Sequence, residues 1–254
     1  MARVFISGSS TGLGLLAGQW LAGRGHQVTL HARNPQRTAD LRAALPQAAF
    51  VLGDLSRIED MRSVAEQVNA LGRHDAVIHN AAVYRLQDRV QTDDGLSLTF
   101  AVNVLAPYLL TTVLERPDRL VHLTSGLQNG AAPDLRDPQW TGRRWNWLQA
   151  YSDSKFFDTM LAFGFARRWP EVRSNAVSPG WVPTRMGGAG APDDLALGAE
   201  TQAWLAAGDD PATDVTGRYL FHRQRGDVPA TVHDVQAQEA LFAYCAELSG
   251  QPLG

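Results

Sequence analysis

Tyr151 and Lys155 stand four positions apart in Tyr151-Ser152-Asp153-Ser154-Lys155. The stretch around them, Ala150 to Trp169, reads as a helix stopped by Pro170. Four positions is about one helical turn, so a phenol and an ammonium share a face. A phenol ordinarily ionises at about pH 10, and an adjacent ammonium favours the phenolate and pulls that value down. Tyr151 could then exchange a proton with a carbonyl or alcohol oxygen near neutral pH. Lys155 is the only lysine, every other basic residue being arginine. A compact ammonium at a site cannot always be replaced by a guanidinium. With five tyrosines in the chain, a chance pairing is the competing explanation. Two further polar residues stand out by their position in the chain. Ser125 follows the apolar run Arg119 to Thr124, and Asn103 lies four residues before Pro107. Proline has no N–H, so the Asn103 carbonyl loses its helical partner and could hold a water; a plain kink in the core is the alternative.

The N-terminal turn offers a place for an anion. Arg3-Val4-Phe5-Ile6-Ser7 reads as a buried strand, and Leu13 to Leu21 as a helix. Between them Gly8, Ser10, Thr11, Gly12, Leu13 and Gly14 form a glycine-rich turn. Glycines permit φ > 0 and close backbone approach, and a helix N-terminus presents N–H groups and a positive dipole end. That suits a pyrophosphate, although an ordinary tight βα turn uses the same spacing. Where a dinucleotide fold that prefers NAD places an acid, about 20 residues on, this chain has Ala32 followed by Arg33, with Arg37 a turn later. An arginine can fork onto a 2′-phosphate, so NADP is favoured over NAD; a solvated surface arginine is the alternative. Asp54-Leu55 after the third strand could accept from an adenine amine, or Asp54 could cap the next helix. Asn80, Ala81 and Ala82 follow the fourth strand and leave room for a ribose. Pro179, Gly180, Val182 and Thr184 follow the sixth and could hold a nicotinamide carboxamide. A cationic nicotinamide ring beside Tyr151 would further favour its phenolate.

Strand and helix signals alternate along the chain: strands at Gln27–Ala32, Ala48–Leu52, Asp75–His79, Arg119–Thr124 and Val172–Val177, helices at Pro35–Leu45, Arg57–Leu71 and Asp93–Leu114. A short strand near Arg218–Phe221 and a last helix follow. Repeated βα units make a doubly wound parallel sheet with helices on both faces, an α/β fold in one domain, 1–254. In such a sheet ligands sit beyond the carboxyl ends of the strands, where all the residues above fall. Two irregular segments, 133–147 and 183–208, read as substrate loops. The first holds Trp140, Trp145 and Trp147, a lid or pocket wall, or packing only. With Trp181 and Leu127 they point to an apolar or aromatic substrate.

Composition sets the outer bounds. With 44% hydrophobic and 19% charged residues the chain reads as globular, and a net charge of −3 argues against nucleic acid or an anionic membrane as partner. A lone cysteine, Cys245, precludes an intrachain disulfide and suggests a reducing compartment. No stretch is apolar enough to span a bilayer, and a cytoplasmic location is expected.

Taken together, Gly8-x3-Gly12-x-Gly14, Asp54, Asn80-Ala81, Asn103, Ser125, Tyr151-x3-Lys155 and Pro179-Gly180 resemble the motifs, in order, of the short-chain dehydrogenase/reductase family. The resemblance covers nearly the whole chain and implies a Rossmann fold. It implies that Tyr151 is the general acid/base, that Ser125 orients the substrate oxygen, and that Lys155 binds the nicotinamide ribose and lowers the tyrosine pKa. Asn103 would hold, through its main chain, a water linking Lys155 to solvent. Arg33 resembles the family's mark of NADP preference. No metal is implied. Departures are Ser7 for a usual threonine, His79 and Ala82 flanking Asn80-Ala81, and a longer interval from Ser125 to Tyr151. That interval resembles the carbonyl reductase and retinol-dehydrogenase-like branches. It falls near surfaces the family uses to oligomerise, leaving room for a dimer or tetramer. The activity implied is NADP(H)-dependent carbonyl–alcohol interconversion on a small molecule. A non-catalytic NADP(H) sensor and an epimerase or dehydratase with bound nicotinamide are the rival expectations.

Overall fold

The computed structural model describes residues 1–254. Six βα-type strands run parallel: β1 Arg3–Ile6, β2 Gln27–Ala32, β3 Ala49–Leu52, β4 Ala76–His79, β5 Arg119–Leu123 and β6 Arg173–Ser178. β7 (Tyr219–Phe221) joins parallel to β6, and β8 (Gln224–Gly226) closes the edge antiparallel. The order is β3-β2-β1-β4-β5-β6-β7-β8, so the winding reverses between β1 and β4. Short Val-, Ile- and Leu-rich strands buried on both faces are what a covered parallel sheet requires. The doubly wound α/β fold read from the sequence is therefore present.

Helices α1 (Gly12–Ala22), α2 (Pro35–Ala44) and α7 (Leu195–Ala207) bury Leu21, Leu41 and Leu205 in one core with Ile6, Leu30 and Val177. On the other side α3 (Ile58–Ala70), α5 (Ala106–Val113), α6 (Trp147–Arg168) and α8 (Val235–Ser249) share a second core built on Phe5, Tyr108, Phe157, Phe165 and Phe242. The expected helix Asp93–Leu114 is shorter and is not uniform. Gly95 at φ +79° turns the chain, with Thr92 N donating to Leu96 O, so helix begins only at α4 (Leu98–Phe100). A π turn, Ala101–Leu105, then precedes α5, and Pro107 sits in its first turn. The discontinuity has a cause: Pro107 supplies no N–H for the Asn103 carbonyl, and the ladder is widened there.

Several boundaries differ by a residue, and two differences have a visible cause. α6 starts at Trp147, three residues before Ala150, because Asn146 Oδ1 accepts from Gln149 N at 3.0 Å and caps it. The β7–β8 hairpin turns on His222 and Arg223, both at positive φ (47° and 64°). Two left-handed residues make the turn that a two-residue hairpin favours, usually supplied by Asn-Gly, so the sequence carried no ordinary signal for β8.

Candidate functional site

The glycine turn is pinned to its neighbours before any ligand is considered. Ser9 Oγ donates to Ile6 O and accepts from His31 N, both at 2.8 Å. His31 Nδ1 accepts from Gly8 N at 2.9 Å, so the ring carries its hydrogen on Nε2 and donates to Gly53 O at 2.8 Å. Burial pushes the His31 pKa down, which keeps the ring in this neutral, bridging form. His31 and Ser9 thus tie the turn to β2 and β3. Sequence reasoning passed over both; a polar pair at the end of buried strands was the available signal.

Asn80 and Ser7 lock the same turn to β4. Asn80 Nδ2 donates to Ser7 O (3.1 Å) and Gly8 O (2.8 Å), while Ser7 Oγ accepts from Asn80 N and Ala81 N. Hence the glycines: a Cβ on Gly8 would lie 2.5 Å from Ala81 Cα, and one on Gly14 would lie 2.5 Å from Asn80 Nδ2. Gly12 differs. It takes φ +60°, and the nearest atoms to a Cβ there belong to Thr184, at 3.8 and 3.9 Å. Thr11 gives α1 no side-chain cap, so the first N–H groups are left for a ligand. Ser10 is half-buried and Thr11 exposed at this mouth, and Leu13 stands within 3.5 Å of a Cβ built on Gly198 in α7. A backbone cradle with an uncapped helix start, facing a threonine across a gap, fits a dinucleotide pyrophosphate.

Around that cradle the other candidates divide. Arg33 is exposed at the end of β2 and makes no ion pair; Arg37 pairs with Asp40 at 3.7 Å. Asp54 does not cap α3, whose N-cap is Arg57; its Oδ1 accepts from Ser56 N at 3.0 Å in a turn ahead of the helix, and it stays half-buried, while Leu55 is core. Ala81 and Ala82 are half-buried beside the turn. Gly180 takes φ +84° because Asp193 fills the space a Cβ would need, and Asp193 Oδ2 accepts from Trp181 N at 2.6 Å. Pro179 is half-buried, Val182 packs where Gly198 leaves room, and Thr184 Oγ1 accepts from Gly187 N at 3.1 Å.

The chemical residues gather at the carboxyl end of β5. Asn103 uses its side chain as a tie: Oδ1 accepts from Val83 N (2.8 Å), and Nδ2 donates to Val83 O (3.1 Å) and Ser154 Oγ (3.0 Å). Ser154 Oγ in turn donates to Tyr151 O at 2.7 Å. The loop after β4 is thereby clamped to α6, and its next residue, Tyr84, packs edge-on against Tyr151 with ring centroids 4.5 Å apart. Ser125 begins a short 3₁₀ turn, its Oγ accepting from Leu127 N, and its hydroxyl acts on Tyr151 to ease ionisation. Asn103 and Ser125 are thus linked to Tyr151, through Ser154 and through the Ser125 hydroxyl, and Lys155 lies one turn further along α6.

One electrostatic expectation is corrected. The Tyr151 pKa is raised, not lowered: burial is the main cause, with the Tyr84 phenol and the Asp158 carboxylate adding to it. Lys155 does not present a free ammonium. Its Nζ donates to Leu123 O at 2.5 Å and pairs with Asp158 Oδ2 at 3.3 Å. Of the two alternatives left open for the tryptophans, packing describes Trp140 and Trp145. Trp140 is buried under the Arg143 guanidinium, 3.8 Å from its ring, and Trp145 Nε1 donates to Leu86 O at 2.9 Å. These two fasten the 133–147 segment to the body. Only Trp147 reaches the site, its ring 5.4 Å from Tyr84, with the Arg85 guanidinium over both.

Known proteins agree with this architecture. A family model described as Enoyl-(Acyl carrier protein) reductase matches residues 8–221. The short-chain dehydrogenase chyC of Penicillium rubens is 40% identical over 256 residues, 98% of each chain being covered. An uncharacterized protein from Mycobacterium paratuberculosis has a crystal structure that matches at TM-score 0.86 and 25% identity, covering 100% of this chain and 95% of that one. A blue fluorescent protein from a metagenomic library, crystallised in complex with NADPH, matches at TM-score 0.71 and 22% identity over 87% of this chain and 95% of its own, a likeness of fold. The matched family, the relatives' identity and the sheet order concur: this chain belongs to the short-chain dehydrogenase/reductase family of oxidoreductases.

Proposed function

We propose that this chain is an NADP(H)-dependent oxidoreductase that interconverts a carbonyl and an alcohol. One observation carries the reading. Tyr151, flanked by Ser125 and rooted one helical turn from Lys155, stands at the sheet edge whose neighbouring loop, Asn80 to Tyr84, also closes the glycine cradle. The cofactor, when bound, supplies or accepts the hydride. The chain supplies the rest. Ser125 Oγ hydrogen-bonds the substrate oxygen and fixes its distance from Tyr151. The Tyr151 hydroxyl donates its proton to that oxygen in reduction and takes one back in oxidation. Lys155 holds the nicotinamide ribose, and Asn103, by clamping the β4 loop to α6, keeps the phenol in register with Ser125.

The Gly8–Gly14 cradle, Asn80–Ala82, Asp54-Leu55 and the Pro179–Thr184 loop would hold the dinucleotide, with Arg33 on a 2′-phosphate. The exposed Arg33 and the absence of an acid at Ala32 support NADP over NAD. Tyr84, Trp147 and Tyr151 form an aromatic wall beside the reacting oxygen, which supports an apolar or aromatic substrate. We read the chain as one nucleotide-binding domain with substrate loops at 133–147 and 183–208, working in the cytoplasm.

The test is NADPH oxidation across a panel of aromatic and aliphatic ketones and aldehydes. Turnover is expected, and Tyr151→Phe should lower kcat by about 100-fold or more while leaving NADPH binding intact. Tight NADPH binding without turnover on any member would favour a sensor. Turnover unaffected by Tyr151→Phe would remove the phenol from the mechanism.

A further inference from the structure

A charged pair and two histidines lie behind Tyr151 that the family motif does not include. Lys155 and Asp158 are one helical turn apart on α6, at 3.3 Å, with side chains 3% and 1% exposed. Asp158 Oδ1 also receives His122 Nδ1 from β5 at 3.0 Å, His122 being fully buried. The His122 ring packs on His79 from β4 at a centroid distance of 4.8 Å, and His79 Nε2 bonds Thr111 of α5 at 2.7 Å. A carboxylate only accepts, so His122 carries its hydrogen on Nδ1. A buried carboxylate is expensive unless paired; here both of its oxygens are engaged, each by a different element.

We propose that Asp158 is a positioning residue of the catalytic site: it fixes the Lys155 ammonium against the end of β5 and offsets its charge, setting the site for proton donation to a carbonyl. The proposal rests on the assignment of Tyr151 and Lys155 made above. Lys155 alone would pull a proton off the phenol. With a carboxylate 3.3 Å from the ammonium, Tyr151 feels a nearly neutral pair. Of the other groups around it, Ser125 is a hydroxyl, burial and His122 hold His79 well below its usual value, and the Arg85 guanidinium, 5.1 Å from the Tyr84 ring and 5.8 Å from that of Trp147, is a fixed charge common to every variant compared. Asp158 accordingly acts on Tyr151 in the direction opposite to the one Lys155 alone would impose. The proton balance is that of a reduction. The Tyr151 O–H bond breaks as its hydrogen passes to the substrate oxygen, the hydride comes from the nicotinamide, and solvent returns a proton to the phenolate. The overall equilibrium is unchanged; what moves is the pH at which each direction runs.

The experiment is a stopped-flow pH-jump titration of the phenolates of the cofactor-free protein at 295 nm, carried from pH 7 to 13 and read before alkaline unfolding, because burial raises the Tyr151 step. The Tyr151 step is isolated as wild type minus Tyr151→Phe, and again in the Asp158→Asn background. Asp158→Asn should move that step down by about one pH unit or more, and should move the alkaline limb of carbonyl reduction down by a similar amount. Coincident titrations in the two backgrounds overturn the proposal. Asp158→Asn leaves a buried ammonium unpaired, so Lys155→Met and the Lys155→Met/Asp158→Asn pair are the second arm. The lysine variant should raise the step and the double variant should return it toward wild type; identical values in the two also overturn it. A titration shift with no effect of Tyr151→Phe on turnover would instead sink the enzyme mechanism and leave the charge pairing standing.

Discussion

Arg33 and Arg37 show how one residue type takes two roles a turn apart. Arg37 is paired with Asp40, whereas Arg33 stands exposed at the end of β2 with no acidic partner. Under the proposed reading, that unpaired guanidinium holds the 2′-phosphate of NADP(H). Charge-assisted hydrogen bonds contribute about 1.5–3 kcal/mol, or about 10- to 100-fold in affinity. Arg33→Ala should therefore weaken NADPH binding by about that factor and leave NADH nearly unchanged, as measured by fluorescence titration with each. Equal weakening of both would place the 2′-phosphate elsewhere. Tyr151 and Lys155 were readable from residue type and spacing, and Ser125 from the family resemblance. Asp158 and His122 were not, because nothing in the local sequence says that a residue three after the lysine meets a strand thirty-odd positions earlier.

At the scale of elements, the cradle is a joint between β1, β2 and β4, held by Ser7, Ser9, His31 and Asn80. Gly14 is where that joint is tightest: a Cβ would lie 2.5 Å from Asn80 Nδ2, 2.8 Å from Ser9 Cα and 3.0 Å from Gly8 O. Two of those neighbours are backbone and cannot yield. Gly14→Ala should cost about 1–3 kcal/mol of stability, a fall of about 2–12 °C in Tm for a chain of this size, and should weaken NADPH binding as Asn80 is displaced. Gly130→Ala, with nothing within 4 Å of the new methyl, should be close to neutral and serves as the control in the same melts. The π turn belongs to this scale too. Pro107 could be read from the sequence as removing the hydrogen-bond partner of Asn103. That the ladder would widen into a π turn at Ala101–Leu105, ahead of a helix packed on α3 and α8, could not be read from it.

For the whole molecule, buried histidines couple folding to pH. Burial lowers the pKa of His31, His74 and His79, with His122 adding to the effect at His79 and Arg3 at His74. Each binds fewer protons folded than unfolded, so stability rises with pH through the window between the lowered values and the unfolded value of about 6.5. The stabilisation is complete above about pH 6.5 and is lost as pH falls below it. Tm should be flat from pH 8 to 7 and decline progressively toward pH 5. His79→Asn should flatten that decline, His79 being held furthest from its usual value. An unchanged slope in that variant would assign the acid sensitivity to other groups.

What the sequence determined by itself were the features whose cause is local. The alternation of apolar strands and helical segments, the glycines at a strand-to-helix turn, and a tyrosine one helical turn from the sole lysine all follow from covalent spacing, and spacing survives without a fold. Only the tertiary structure decided what surrounds them. It buried Tyr151, which is the main reason its pKa is raised, and it put Asp158 against Lys155. It spent Trp140 and Trp145 on packing and left Trp147 at the site. Burial and through-space charge depend on which distant segments meet, and those two quantities set the pKa of a buried phenol.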